Sequence, residues 1–201
     1  MSEIVQAIIA EATAMRAWEA VAVMLAIAYL LLAMKENILC WYCALFSTAI
    51  YTQLFWNVSL LMESALNVYY LAMAVFGWYQ WKYGGREKSS LSIQRLTLQT
   101  NLLIIGTVFV AAGISGWLLS QHSQAAWPYL DSFTTWGSVA TTFMVAKKIL
   151  ENWLYWLVID SISIPLYIDR GLYLTAFLFF IYLFIVVAGF FNWRRRYQAQ
   201  S

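Results

Sequence analysis

Residues 171–193 read GLYLTAFLFFIYLFIVVAGFFNW, a run of 23 residues without a charged side chain, and three arginines follow at 194–196. A helix needs about 20 mostly apolar residues to cross a bilayer, because each residue rises about 1.5 Å through a core about 30 Å thick. This run therefore predicts a transmembrane helix. The arginines predict that its end faces the cytoplasm, since short cytoplasmic loops are enriched in basic residues.

The rest of the chain has a similar composition. Of 201 residues, 63% are hydrophobic and 11% are charged, whereas about a quarter of the residues in a soluble domain are charged. The formal net charge of +2 gives no support for a nucleic-acid partner. We expect an all-α integral membrane protein of seven transmembrane helices. The predicted spans are 18–34, 38–56, 59–82, 100–120, 127–146, 152–168 and 171–193.

The basic residues predict one orientation for these spans. If the N-terminus is outside, ten of the 12 lysines and arginines flank cytoplasmic ends, and only Arg16 and Arg170 lie outside. The C-terminus is then cytoplasmic. The predicted regions are an amphipathic surface segment (1–17), a first three-helix repeat (18–82), a cytoplasmic linker with a connecting helix (83–120), a second three-helix repeat (121–193) and a basic tail (194–201).

Two short motifs recur and indicate an internal duplication. E-N-x-x-x-W begins at Glu36 and, 115 residues later, at Glu151; G-x-x-[QN]-W begins at Gly77 and, 112 residues later, at Gly189. The motifs predict two parallel three-helix copies joined by one helix, a 3+1+3 arrangement, with a net difference of three residues between them. Transporters built on parallel repeats bind substrate between the halves, near the membrane midplane.

Polar side chains share faces of the third, sixth and seventh spans. On the sixth span they recur at steps of three and four, which places them on one helical face. Asp160 lies near the middle of that span, where an aspartate costs roughly 2.5–3.5 kcal/mol on insertion scales. At an offset of 115, the residue of the first repeat that is equivalent to Asp160 is Leu45. The two halves are therefore expected to differ in role. The candidate substrate-binding residues are Glu63, Asn67, Tyr70, Trp156, Asp160, Ser163, Tyr167, Tyr182 and Asn192.

Such a set suits a small polar solute with aromatic or cationic character. Aromatic faces attract cations, and a carboxylate accepts hydroxyl protons or balances a positive charge. The sequence contains no P-loop and no H-E-x-x-H motif, so we predict no catalytic residue, no cofactor and no metal site. Proton pumps usually contain chains of several buried titratable groups. A single deep carboxylate favours facilitated diffusion by a protein that is not an enzyme.

Three stretches resemble the PnuC family of bacterial vitamin transporters. The first runs from Glu63-Ser-Ala-Leu-Asn67-Val-Tyr-Tyr70 to Gly77-Trp-Tyr-Gln-Trp81 and is similar to the third helix of that family. The others are Asn152-Trp-Leu-Tyr-Trp156-Leu-Val-Ile-Asp160-Ser and the ending from Gly189 to Trp193. The likeness covers residues 18–196. Members often carry aspartate and glutamine where this chain has Glu63 and Asn67.

The resemblance implies a fold similar to the SWEET sugar transporters, assembled as a homotrimer in the bacterial inner membrane. It implies uptake of nicotinamide riboside by facilitated diffusion, with a cytoplasmic kinase that traps the product. The matching positions for substrate binding are Glu63, Asn67, Tyr70, Trp156, Asp160, Tyr167, Tyr182 and Asn192. Two alternatives remain open: a related carrier for thiamine, riboflavin or a deoxynucleoside, and a membrane receptor that does not transport.

Overall fold

The computed structural model describes residues 5–6, 8–10, 17–57, 61–85, 89–122 and 127–200. Within these ranges, seven helices of 18 residues or more lie where the spans are predicted. The prediction of an all-helical chain is confirmed, and the described ranges contain one isolated β-bridge, Gln94 with Ile149. The helices are α1 Ala17–Met34, α2 Cys40–Asn57, α3 Leu61–Tyr83, α4 Leu98–His122, α5 Pro128–Ala146, α6 Asn152–Asp169 and α7 Tyr173–Gln200.

Three of these helices, α1, α4 and α7, are long and apolar enough to cross a membrane, judged by length and composition. Helix α4 exposes large apolar side chains such as Leu103, Phe109 and Trp117. A helix that is apolar on every side suits lipid rather than water as its surroundings. The other four helices are less apolar because they carry polar side chains, and α6 alone buries Asn152 and Asp160.

The helices pack as two groups of three. Helix α2 contacts both α1 and α3, and α6 contacts both α5 and α7. The groups meet where α1 contacts α7 and where α3 contacts α5, so the first helix of each group packs on the third helix of the other. Helix α4 packs against α5. This pattern of contacts is unchanged when the two groups are exchanged.

Two matching hydrogen bonds join the groups at one end of the bundle. The Trp81 indole at the end of α3 donates to the carbonyl oxygen of Val145 at 3.0 Å. The Trp193 indole at the end of α7 donates to the carbonyl oxygen of Ala33, also at 3.0 Å. The two donors are 112 positions apart in the chain, and so are the two acceptors. We call this end, where α1, α3, α5 and α7 finish, the basic end.

The same offset recurs inside each group and corrects the predicted alignment. The Trp41 ring packs on Gly77, and the Trp153 ring packs on Gly189. Trp41 and Trp153 each make an edge-to-face contact with the next tryptophan, Trp81 or Trp193, at 5.4 Å between centroids. The equivalent of Trp41 is therefore Trp153, not Trp156. The offset of 115 and the three-residue difference were wrong, because they rested on a short motif that the packing does not repeat.

Helices α1 and α5 also end alike. Glu36 and Lys148 follow the last turns with positive φ angles of 55° and 50°. The Asn37 amide donates to the Leu32 carbonyl at 2.9 Å, closing a Schellman motif, and the same bond recurs 112 positions later. Glycine usually occupies this position, and another residue there costs about 1–3 kcal/mol. Here the side chains form an ion pair at 2.8 Å between groups, 11% and 8% exposed.

Residues 89–97 cross the basic end in an extended conformation. Leu91 and Ile93 are buried in a cluster of apolar side chains that also contains Trp41, Trp81, Trp153 and Trp193. We call it the main apolar cluster. The Leu91 amide donates to the carbonyl of Trp81 at 3.2 Å, and Gln94 exchanges two backbone bonds with the chain after α5. The predicted linker is therefore packed into the protein at this point. It covers the end of the bundle instead of lying free beside it.

The contact between Gly189 and Trp153 leads to a first prediction. A Cβ atom at position 189 would lie 2.6 Å from the Trp153 ring, and the buried indole has little room to move. We expect Gly189→Ala to lower the free energy of unfolding by about 1–3 kcal/mol, as other overpacked sites do. Thermal unfolding of the purified protein in detergent measures this. Gly106→Ala is the matched control, because nothing lies within 4 Å of that position; equal melting temperatures would contradict the packing.

Two predictions about organisation remain predictions. The amphipathic N-terminal segment lies mostly outside the described residues; only 5–6 and 8–10 are described, and these are helical. The boundaries proposed for the repeats and the linker stay predictions, and the residues of the predicted tail continue α7, which runs to Gln200. The independence of these regions is an expectation from sequence.

Candidate functional site

Asp160 is the feature around which the candidate site is built. It lies near the middle of α6 and is 4% exposed. No described residue forms a hydrogen bond or ion pair with its carboxylate. A buried ionised carboxylate without a partner is costly, and a bound solute is one group that could supply the missing partner.

Four tyrosines from different helices are linked to one another by electrostatic interactions, and one of them, Tyr182, also lies within range of this carboxylate. Tyr182 on α7 lies within range of electrostatic interaction with Asp160, Tyr51 and Tyr167. Tyr70 on α3 lies within the same range of Tyr167, and its hydroxyl lies near Ser138 on α5. Because α2, α3, α6 and α7 each contribute one ring, the site lies between the two groups of helices. We call Tyr51, Tyr70, Tyr167 and Tyr182 the tyrosine cluster.

Tyr51 is the member that the sequence analysis missed. It lies on α2 and is within range of electrostatic interaction with both Tyr167 and Tyr182. At an offset of 112 its equivalent is Ser163, which was a candidate residue, and Tyr70 becomes the equivalent of Tyr182. The equivalent of Asp160 becomes Thr48, not Leu45. The offset of 115 concealed these relations, so the signal was present but misaligned.

Two other candidates lie within four residues of Asp160 on α6. Trp156, one turn before it on α6, is half-buried and packs against the main apolar cluster. Ser163 is buried, and its hydroxyl donates to the Ile159 carbonyl of its own helix at 2.9 Å. Asn67 is buried on α3. Trp156 and Ser163 therefore share the α6 segment that carries Asp160, and the Ser163 hydroxyl is already satisfied by its own backbone.

One candidate, Asn192, is not brought to this cluster. The Asn192 side chain accepts a hydrogen bond from Arg196 at 3.1 Å, and Arg196 in turn reaches Glu36 at the basic end. Asn192 also lies about 15 Å along the α7 axis from Tyr182, at about 1.5 Å per residue. Its predicted role in binding therefore has no geometric support. The Glu63 side chain lies outside the described residues.

The charge of the site follows from these positions. Asp160 is an acidic group of the site, and the ion pairs among the described residues join lysines and arginines to Glu36, Glu151 and Asp131 instead. A solute with positive charge, or with hydroxyl and amide donors, would complement the carboxylate, and the aromatic rings would accommodate a flat ring. In the described part of the chain, no group of three His, Cys, Asp or Glu side chains is arranged to hold a metal ion.

The comparisons with known proteins agree on one family. The family described as nicotinamide mononucleotide transporter matches residues 16–195. The riboflavin/roseoflavin transporter RibM of Streptomyces davaonensis is 25% identical over 134 residues, which are 65% of this chain and 63% of RibM. The nicotinamide riboside transporter PnuC of Escherichia coli is 22% identical over 187 residues, 81% of this chain and 78% of that protein.

A solved structure shares the fold. The crystal structure of the vitamin B3 transporter PnuC superposes with a TM-score of 0.72 at 22% identity, covering 92% of this chain and 83% of that one. The match spans almost the whole chain, including both three-helix groups. The resemblance inferred from the motifs on α3 and α6 is confirmed: this chain belongs to the nicotinamide mononucleotide transporter family, and it is a membrane transporter rather than an enzyme.

Proposed function

We propose that this transporter carries nicotinamide riboside into the bacterial cell by facilitated diffusion. The observation that carries the proposal is the buried Asp160 carboxylate, which no described residue pairs with and which lies beside Tyr182 of the tyrosine cluster. The related PnuC of Escherichia coli is a nicotinamide riboside transporter. Family membership gives the class of activity, and the chemistry of the site supports this solute.

Nicotinamide riboside presents groups that match the site. Its pyridinium ring is cationic and flat, so the face of Trp156 can attract it. Its ribose hydroxyls can donate to Asp160, and a hydrogen bond to a charged acceptor contributes about 1.5–3 kcal/mol. Its carboxamide can pair with the Asn67 amide. The tyrosine cluster supplies further rings and hydroxyls, and Glu63 is a second acidic candidate.

We propose that the seven helices all span the membrane as a 3+1+3 parallel repeat, with α4 as the connecting helix. The contacts repeated at an offset of 112 support this architecture, and so does the packing of α1 on α7 and of α3 on α5. In this arrangement the basic end faces the cytoplasm, because basic residues concentrate there. The N-terminus is then outside, and the substrate binds between the halves.

Release to the cytoplasm requires the basic end to open. Four tryptophans form a chain across it, with centroid distances of 5.4, 6.0 and 5.4 Å from Trp41 through Trp81 and Trp193 to Trp153. The 89–97 segment covers the same end. These contacts separate Asp160 from the cytoplasm in the closed form, and their separation would make an exit.

The mechanism we propose is passive. Among the described carboxylates, Asp160 is the one placed in the middle of a helix, whereas proton-coupled transporters use relays of several titratable groups. A cytoplasmic kinase would phosphorylate the riboside and trap it, so that accumulation depends on metabolism. The homotrimer and the inner-membrane location come from the family resemblance.

Riboflavin is the second candidate substrate. RibM, a riboflavin and roseoflavin transporter, is similar to this chain at 25% identity. Riboflavin is flat and carries a hydroxylated chain, so an aromatic site with a carboxylate would also suit it. Thiamine and deoxynucleosides are further alternatives with the same features. A membrane receptor that does not transport is the least consistent with family membership.

Calorimetry on the purified protein tests the proposal. Nicotinamide riboside, riboflavin, thiamine and a deoxynucleoside are titrated into the wild type and into Trp156→Ala and Asn67→Ala. Binding of nicotinamide riboside alone, weakened in both variants, is the expected result. Tighter binding of riboflavin would keep the site and change the substrate. Binding that neither variant affects would place the site elsewhere, and counterflow in liposomes distinguishes transport from binding alone.

A further inference from the structure

A cavity of about 330 Å³ lies at the basic end, away from the tyrosine cluster. It is formed by the start of α6, the end of α7 and the 89–97 segment. Cavities that hold small molecules typically measure about 300–1,000 Å³, so this one fits a head group and not a whole lipid. Its walls include Arg95, Glu151, Leu154, Phe190, Arg194 and Gln198.

The cavity carries more positive than negative charge. Both Glu151 oxygens are engaged, one by the Arg95 guanidinium at 3.0 Å and the other by the Leu96 amide at 3.2 Å. Arg95 remains 59% exposed. No described residue pairs with Arg194. The acidic group is thus neutralised in place, and the cavity retains one uncompensated positive charge with free guanidinium donors.

The polarity of the cavity changes along the helix axis. On α7, Phe190, Arg194 and Gln198 follow one another at steps of four, about 6 Å each. The order is apolar, basic and polar, in the direction from the bundle centre toward its end. On α6, the apolar Leu154 likewise lies closer to the bundle centre than the charged Glu151. An apolar floor below a basic rim is the order of surroundings that a phospholipid meets at a membrane surface.

We propose that this cavity binds the phosphate of an anionic phospholipid. Arg194 and Arg95 would contact the phosphate, and the first carbons of the acyl chains would lie against Leu154 and Phe190. Basic pockets between transmembrane helices on the cytoplasmic side bind such head groups. A soluble phosphate could satisfy the same arginines, but it would leave the apolar floor unused, so the lipid accounts for more of the cavity.

Native mass spectrometry of the purified, delipidated protein tests this proposal. Phosphatidylglycerol is added at a fixed molar ratio, with phosphatidylcholine as the neutral lipid. We expect retention of phosphatidylglycerol to fall about fivefold in Arg194→Gln, since one basic residue near the surface contributes about 1 kcal/mol. Arg195→Gln is the matched control, because Arg195 is the adjacent exposed arginine and does not line the cavity.

Two further arms separate the sources of phosphate. Leu154→Asn alters the apolar floor at a side chain that is 43% exposed, and it is expected to weaken lipid retention without unfolding the protein. Inorganic phosphate is added as a competitor and should not displace the lipid at equal concentration. Equal retention of the two lipids, equal loss in Arg194→Gln and Arg195→Gln, or displacement by inorganic phosphate would each overturn the proposal. None of these readouts depends on which vitamin is transported.

Discussion

Asp160→Asn is expected to weaken binding of nicotinamide riboside about 10- to 100-fold, because hydrogen bonds to a charged acceptor contribute about 1.5–3 kcal/mol. The same change should leave thermal stability equal or raise it, since the carboxylate is buried and no described residue forms a hydrogen bond with it. Calorimetry and thermal unfolding on the same preparations measure the two effects. Weaker binding without loss of stability is the signature of a residue that serves the ligand and not the fold.

The control for this prediction is Asp131→Asn. Asp131 is also a carboxylate, but it pairs with Arg170 at 3.2 Å at the end of the bundle away from the basic end. We expect this variant to bind the substrate as the wild type does. If Asp160→Asn binds normally, or if both variants lose binding equally, Asp160 is not a binding residue. Tyr51→Phe extends the test to the tyrosine that the sequence analysis missed.

Reversing the charge of Glu36 is expected to cost about 3–5 kcal/mol of stability, the usual loss when a buried ion pair is broken. Glu36→Lys would place a third cation beside Lys148 and Arg196, which now contact the two Glu36 oxygens at 2.8 and 3.3 Å. Denaturation in detergent measures the loss. Lys148→Glu introduced into the same chain should recover most of it, because the pair is then restored with its charges exchanged.

Lys35→Glu is the control for charge reversal, since Lys35 is the adjacent residue and is exposed. Its stability is expected to change by less than about 1 kcal/mol, as for other surface charges. A double variant that is no more stable than Glu36→Lys alone would show that the two side chains do not act as a pair. The positive φ angles at both positions would then have no explanation in the ion pair.

The helices and the main face of the site could be predicted because they follow local rules. Apolar runs of about 20 residues mark the helices, and steps of three and four place Asp160 on one face of α6 with Trp156 and Ser163. These rules concern residues that are close in the chain. They gave the right helix order without any knowledge of packing.

Which residues of the two halves are equivalent was predicted less accurately. The motif beginning at Glu36 resembled the one at Glu151, but the equivalent positions are fixed by tertiary contacts, such as the Trp–Gly pairs, that a short motif does not encode. An error of three residues turned Thr48 into Leu45 as the equivalent of Asp160. The same error meant that Tyr51 was not recognised as the equivalent of Ser163, which it is at an offset of 112.

The packing of the 89–97 segment could not be predicted from the sequence for a different reason. Its alternation of Leu91, Ser92 and Ile93 is too short to predict a buried strand, and the polar residues around it predicted a cytoplasmic linker. Both apolar side chains are in fact buried in the main cluster. Their burial depends on the tryptophans of four helices, which meet only in the folded protein.

The ion pair between equivalent positions also determines which halves can assemble. Two copies of residues 18–82 would bring Glu36 against another Glu36, and two copies of the second half would bring Lys148 against another Lys148. Like charges so near each other repel strongly where water is scarce. Only one half of each kind satisfies both side chains. The ion pair therefore favours packing of a first half on a second half over packing of two identical halves while the chain folds.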